Sequence, residues 1–164
     1  MKTGDRMFIY FFMLAFAVYP AISGCNNQIS PPENLDDLQL SFVSGSIGAN
    51  LMPITPPDPI NCNIVLVVTN KNQTEPLNNI SISQADVYLN STNEKLGSIF
   101  FATDWDGKLG PAESDTVRLN KITNSVSVFT APCGKYVHLN LFVRGDIFTT
   151  ISFETDSLRF GCVY

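Results

Sequence analysis

Few residues of this chain could do covalent chemistry. Its 164 residues include one histidine, His138, one tryptophan, Trp105, and four cysteines, at 25, 62, 133 and 162. Nucleophilic catalysis of the Ser/His/Asp or Cys/His kind needs a histidine within reach of the nucleophile. In KYVHLNLFV, Val137, Leu139, Leu141 and Val143 share one face, which leaves His138 on the other with Tyr136, Asn140 and Phe142. His138 therefore reads as a surface histidine. Paired carboxylates could serve as acid and base, but none falls at a spacing that marks it out. No cysteine pair has the short CxxC spacing of a zinc site. The chain is expected to be no enzyme and to carry no cofactor.

Two short polar stretches stand out. Asp104-Trp105-Asp106-Gly107 sets alternate aspartates beside a turn glycine, as at the opening of a calcium loop, but the later ligand positions and closing Glu do not follow. An Asp-Gly turn is the favoured reading, with no metal. Asp104, Trp105 and Asp106 remain a candidate ligand or partner loop, because an exposed indole is a platform for a sugar ring or a protein surface. The alternative is an indole folded back as a lid on the core. Arg144-Gly145-Asp146 spells an adhesive tripeptide, yet glycine and aspartate are also what a hairpin turn requires.

The N-terminus says where such loops would be displayed. Lys2 and Arg6 precede Met7 to Val18 (MFIYFFMLAFAV), an apolar run too short to span a bilayer as a helix. Pro20 ends it, and Ala21-Ile22-Ser23-Gly24 supplies small residues before Cys25, which together read as a signal peptide over residues 1–24. Ile22, Ser23, Gly24 and Cys25 resemble the lipobox of bacterial lipoproteins. The resemblance implies that the Cys25 thiol becomes a diacylglyceryl thioether and that the new amino terminus is acylated. Each buried methylene contributes roughly 0.8 kcal/mol, so two or three chains make a lasting anchor. Asn26, where an Asp would retain the protein, implies a bacterial outer-membrane destination. A plain secretory signal, leaving Cys25 as a thiol or disulfide partner, is the alternative.

Residues 25–37 are polar, contain Pro31 and Pro32 and lack any hydrophobic period, so they read as a tether. Asn26 to Asp37 would reach at most about 40 Å. Residues 38–164 form one domain's worth of chain. Without Lys2, Arg6 and Asp5, the ten Lys plus Arg and fifteen Asp plus Glu become eight against fourteen, a balance of −6. No basic run interrupts that acidic balance, which excludes nucleic acid as an expected partner.

From Leu38 onward, short runs of period two rich in Val, Ile, Thr, Phe and Tyr alternate with Gly, Pro, Asn and Asp, the pattern of strands and turns. Candidate strands are 38–43, 61–70, 80–89, 96–102, 116–122, 135–143, 147–153 and 158–163. A change of phase between Ile82 and Ala85 predicts a bulge near Ser83-Gln84. The four prolines of 51–59 bar that segment from a central sheet. About seven or eight strands at roughly ten-residue spacing predict an all-β fold, an antiparallel two-sheet β-sandwich.

VVTNKNQTEPLNNISISQADVYL, followed by LGPAES ahead of TVRL, is similar to bacterial Ig-like domains of the FxLYD or CARDB type, with Ala112 where those domains usually have Gly. The resemblance covers about residues 60–122 and implies a fold, not an activity. Packed in that way, Cys62, Cys133 and Cys162 would lie at one end, and a Cys133–Cys162 disulfide is the preferred pairing, with Cys62 as an alternative partner. The functional expectation is a lipid-anchored, non-catalytic interaction module of the bacterial envelope. Its membrane contact would be the anchor, and its partner an envelope or surface protein reached through loops 70–79, 103–115 or 144–146. A periplasmic carrier of a small ligand or metal is the second expectation.

Overall fold

Alternation of buried and exposed side chains is the main structural signal of this chain, and it decides which face of each strand turns inward. A computed structural model describes residues 37–52, 59–122, 129–146 and 148–164. They form eight strands: β1 (Leu38–Asn50), β2 (Ile60–Asn70), β3 (Ser81–Leu89), β4 (Glu94–Ala102), β5 (Ser114–Lys121), β6 (Tyr136–Gly145), β7 (Phe148–Glu154) and β8 (Leu158–Val163). In β2, Ile60, Cys62, Ile64, Leu66 and Val68 are buried while Asn61 and Asn63 face out. In β6, Val137, Leu139, Leu141 and Val143 do the same. Burying each such side chain stabilises the fold by about 1.5–3 kcal/mol, so this period-two pattern largely determines the core.

The expected two-sheet sandwich is not what the strands make. Their order is β3-β4-β5-β2-β1-β8-β6-β7, with a further β3–β6 pairing, so seven strands close into a barrel and β7 pairs with β6 beyond the two residues that β6 gives to β8. Two strands cause the closure, because each changes partner along its length. β4 pairs with β3 through Phe100 and then gives Phe101 and Ala102 to Lys121 and Asn120 of β5. β8 gives Leu158 and Arg159 to β6, then runs alongside β1 from Phe160 to Val163. That last pairing is parallel, a second departure from the antiparallel expectation. Gly48 permits it: a Cβ there would lie 2.6 Å from the Gly161 carbonyl oxygen, so only glycine lets β1 and β8 approach.

Register shifts lie between Ile82 and Gln84 on the β6 side of β3, where the change of phase predicts one, and between Val87 and Tyr88 on the β4 side. β1 extends seven residues past the predicted end at Val43. The proline segment 53–58, the signal-like stretch and Cys25 lie outside the described residues. Among those residues, no helix is long and apolar enough to cross a membrane.

Candidate functional site

β4 pairs with β5 over only two residue pairs, and after Ala102 the chain leaves the sheet. The connection that follows is pinned at several points. The Trp105 amide donates to Thr103 Oγ1 at 3.1 Å, and the Lys108 amide to Asp106 Oδ1 at 3.1 Å, an aspartate-capped turn. The Ile80 amide donates to the Gly107 carbonyl at 2.9 Å, and Leu77 and Leu109 exchange backbone bonds at 2.9 and 3.0 Å. Gly107, Leu109 and Leu77 are buried, so Asp104 and Asp106, at alternate positions, are left in solvent.

Farther along, Glu113 Oε2 accepts the Gly110 amide at 2.5 Å and the Ala112 amide donates to the Asn72 carbonyl at 2.8 Å. Fully buried Asn70 ties this loop to its neighbour, donating from Nδ2 to the carbonyls of Gly110 (3.0 Å) and Glu75 (2.8 Å) and accepting the Asn72 amide (2.9 Å).

Between the pinned loop and β5 lies an open cleft of about 620 Å³, lined by Thr103, Asp104, Trp105 and Asp106 on one side and Asp115, Thr116, Arg118 and Asn120 on the other. Its volume falls within the range of ligand sites. Two carboxylates, Asp104 and Asp106, face the Arg118 guanidinium across it, and a third, Asp115, lies on the same strand as Arg118. Trp105 combines the two expected roles: its indole lines the cleft and also packs against the core, with Nε1 shut off from water and bonded to nothing. A buried indole N–H without an acceptor is an uncompensated cost.

The strand side of the cleft is a backbone edge. The Ile122 amide donates to the Phe100 carbonyl at 2.9 Å, toward β4. Main-chain groups alternate sides along a strand, so Asn120, Arg118 and Thr116 point the same way. Ala102 pairs with Asn120, but the chain has departed before it could pair with Arg118. Asp115 Oδ1 takes the Thr116 amide at 2.7 Å. Among the described residues, the amide and carbonyl of Arg118 and the carbonyl of Thr116 have no backbone partner on this side.

The other candidate residues lie elsewhere. Cys133 and Cys162 form a disulfide with Cα atoms 5.5 Å apart. It fastens the turn before β6 to β8, where the Gly134 amide donates to Phe160 and the Phe160 amide to Lys135. Cys62 is a free thiol within the core, and burial pushes its pKa up to about 12. His138 is stacked on Tyr88 with ring centroids 5.4 Å apart, and its Nδ1 lies 3.0 Å from Asn90 Oδ1. Ser157 Oγ accepts from Asn90 Nδ2, not from the imidazole. In the Arg144-Gly145-Asp146 tripeptide, Asp146 Oδ2 accepts Asn79 Nδ2 at 2.6 Å.

Among the described residues, no cluster of three or more His, Cys, Asp or Glu could hold a metal ion.

Two features have no clear signal in the sequence. Asp115, Thr116, Arg118 and Asn120 complete the cleft, and SDTVRLNK does show them in period two with buried Val117 and Leu119, but not what they face. Asp86 is a buried carboxylate on β3, bonded to Lys95 Nζ at 2.7 Å and Ser98 Oγ at 2.6 Å. Burial pushes its pKa up, but bonds from Lys95, Ser98 and Gln84, together with the Lys95 charge, outweigh that and hold it below the usual carboxylate value.

No family model matches the chain, and no curated protein matches it. Among solved structures it is similar to the periplasmic chaperone SfaE, at 11% identity over 77% of this chain and 58% of that one, with a TM-score of 0.35. The chain thus spans less than two thirds of that structure, a likeness too loose to assign a fold or an activity.

Proposed function

We propose that this protein is a lipid-anchored, non-catalytic binding module of the bacterial envelope, held at the outer membrane through Cys25 and engaging its partner at the cleft between residues 103–106 and β5. The carrying observation is the cleft itself: an indole, three carboxylates, a guanidinium and an open strand edge meet in one cavity of about 620 Å³. These groups recognise a ligand without needing a nucleophile and its base. His138 lies on β6, which contributes nothing to the cleft lining. The anchor rests on Ile22, Ser23, Gly24 and Cys25 at lipobox spacing.

Each half has its own test. Cells making the Cys25→Ser form, fed labelled palmitate, should yield protein that takes up no label and leaves the membrane fraction. Continued acylation or membrane retention would remove the anchor. A photoreactive residue at Thr103, activated in cells that make the protein natively, should capture a defined partner that the same residue at Asn61 does not. Identical products from both positions would remove the cleft as the binding surface.

A further inference from the structure

We infer that the cleft takes an extended, basic peptide segment of a partner protein, which adds to β5 as a strand. The inference rests on the binding role proposed above and names the chemistry of the ligand. Three observations converge on it.

The first is the backbone. Arg118 offers an amide and a carbonyl, and Thr116 a carbonyl, along the cleft side of β5, where the described residues supply no partner. An entering strand would pair with Arg118 just where β4 stops at Ala102, continuing the β4 ladder with a different chain. Addition to an open sheet edge is an established mode of peptide recognition, with main-chain bonds giving affinity and alternate side chains giving selectivity.

The second is charge. Asp104, Asp106 and Asp115 line the cleft against Arg118 alone, and all four side chains are exposed. Lysine or arginine at alternate positions of the entering strand would meet the Asp104 and Asp106 carboxylates, whereas an acidic strand would be repelled. The third is the indole of Trp105, which forms part of the same wall and can receive a cation over its face. A neutral sugar could also stack on the indole, but it would leave the β5 main-chain groups unused and gain nothing from the carboxylate excess.

The test uses the full chain in detergent and synthetic octapeptides alternating lysine with valine or glutamate with valine, read by Trp105 fluorescence and by hydrogen exchange at the Arg118 amide. The lysine peptide should shift the fluorescence and slow exchange at Arg118. N-methylation of its alternate amides should weaken binding by about tenfold or more, as should Asp104→Asn with Asp106→Asn, which keeps the capping oxygen for Lys108. Equal binding of the glutamate peptide, unchanged exchange at Arg118, or indifference to N-methylation would overturn strand addition. A fluorescence shift with a neutral oligosaccharide and none with any peptide would overturn it too, yet would leave a binding cleft in place. Failure of the Thr103 cross-link is the separate result that removes the binding reading.

Discussion

Gly107 passes directly beneath the backbone of Ile80: a Cβ on it would lie 2.3 Å from the Ile80 carbonyl oxygen, and its φ is +74°. Both constraints admit only glycine, and together they fix where the 103–106 loop sits against the start of β3. Gly107→Ala should cost about 2 kcal/mol or more, combining left-handed strain with displacement of Ile80. Urea denaturation checks the stability. The emission of Trp105, two residues away, should change at the same time; unaltered emission and midpoint would mean that the loop is not pinned there.

Ala112 is the converse case. Its φ is +56°, in the left-handed region, where a methyl group is a burden and glycine is not. Open space is not the question here, only the backbone. Ala112→Gly should stabilise the protein by about 0.5–1 kcal/mol, the relief of strain less the added freedom of the unfolded chain. A lower melting temperature in calorimetry would contradict this.

The Cys133–Cys162 bridge closes a loop with a sequence separation of 29 and fastens β8, one of the two strands that close the barrel. Loop-closure entropy puts the loss from Cys133→Ser with Cys162→Ser at about 3–4 kcal/mol. Equilibrium unfolding of the double variant measures it. In the native parent, iodoacetamide should leave buried Cys62 unmodified until the protein unfolds, and rapid native labelling would show that β2 opens locally.

Cys62 also sets an alkaline limit. Its thiol ordinarily ionises near 9.0 and is pushed up to about 12 by burial, so the folded state holds the proton that the unfolded state gives up. The resulting stability is fully present below pH 9 and is lost as pH rises toward 12, at about 1.4 kcal/mol per pH unit. Cys62→Val lacks this slope. Between pH 8 and pH 10.5 the urea midpoint of the parent should therefore fall relative to that of Cys62→Val, and parallel curves would refute the assignment.

Asp86 works at the acid end. The carboxyl is held below its ordinary value of 3.8, so its contribution is present above that pH and disappears as pH falls through the folded value. Asp86→Asn should be less stable than the parent at pH 7, and the gap should close on acidification. A gap that stayed constant down to pH 2 would assign the effect to packing.

What the sequence settled, it settled through local rules. Val137, Leu139, Leu141 and Val143 alternate with polar neighbours, and a strand has only two faces, so their burial follows from their spacing. The phase change at Ser83-Gln84 marks the β3 bulge for the same reason. The turn at Asp104-Trp105-Asp106-Gly107 was legible because an aspartate followed by glycine is local turn chemistry, whereas the side Trp105 would take was not. The partners of each strand were not legible. Whether Phe101 continues along β3 or crosses to Lys121, and whether Phe160 stays with β6 or turns to Ile47, depends on contacts between segments far apart in the chain. Period two specifies a face but no neighbour, which is why the sandwich expectation gave way to a barrel. The cleft depends on the same long-range choice: Arg118 has an open edge only because β4 leaves it at Ala102, and only the tertiary fold brings that edge opposite Trp105.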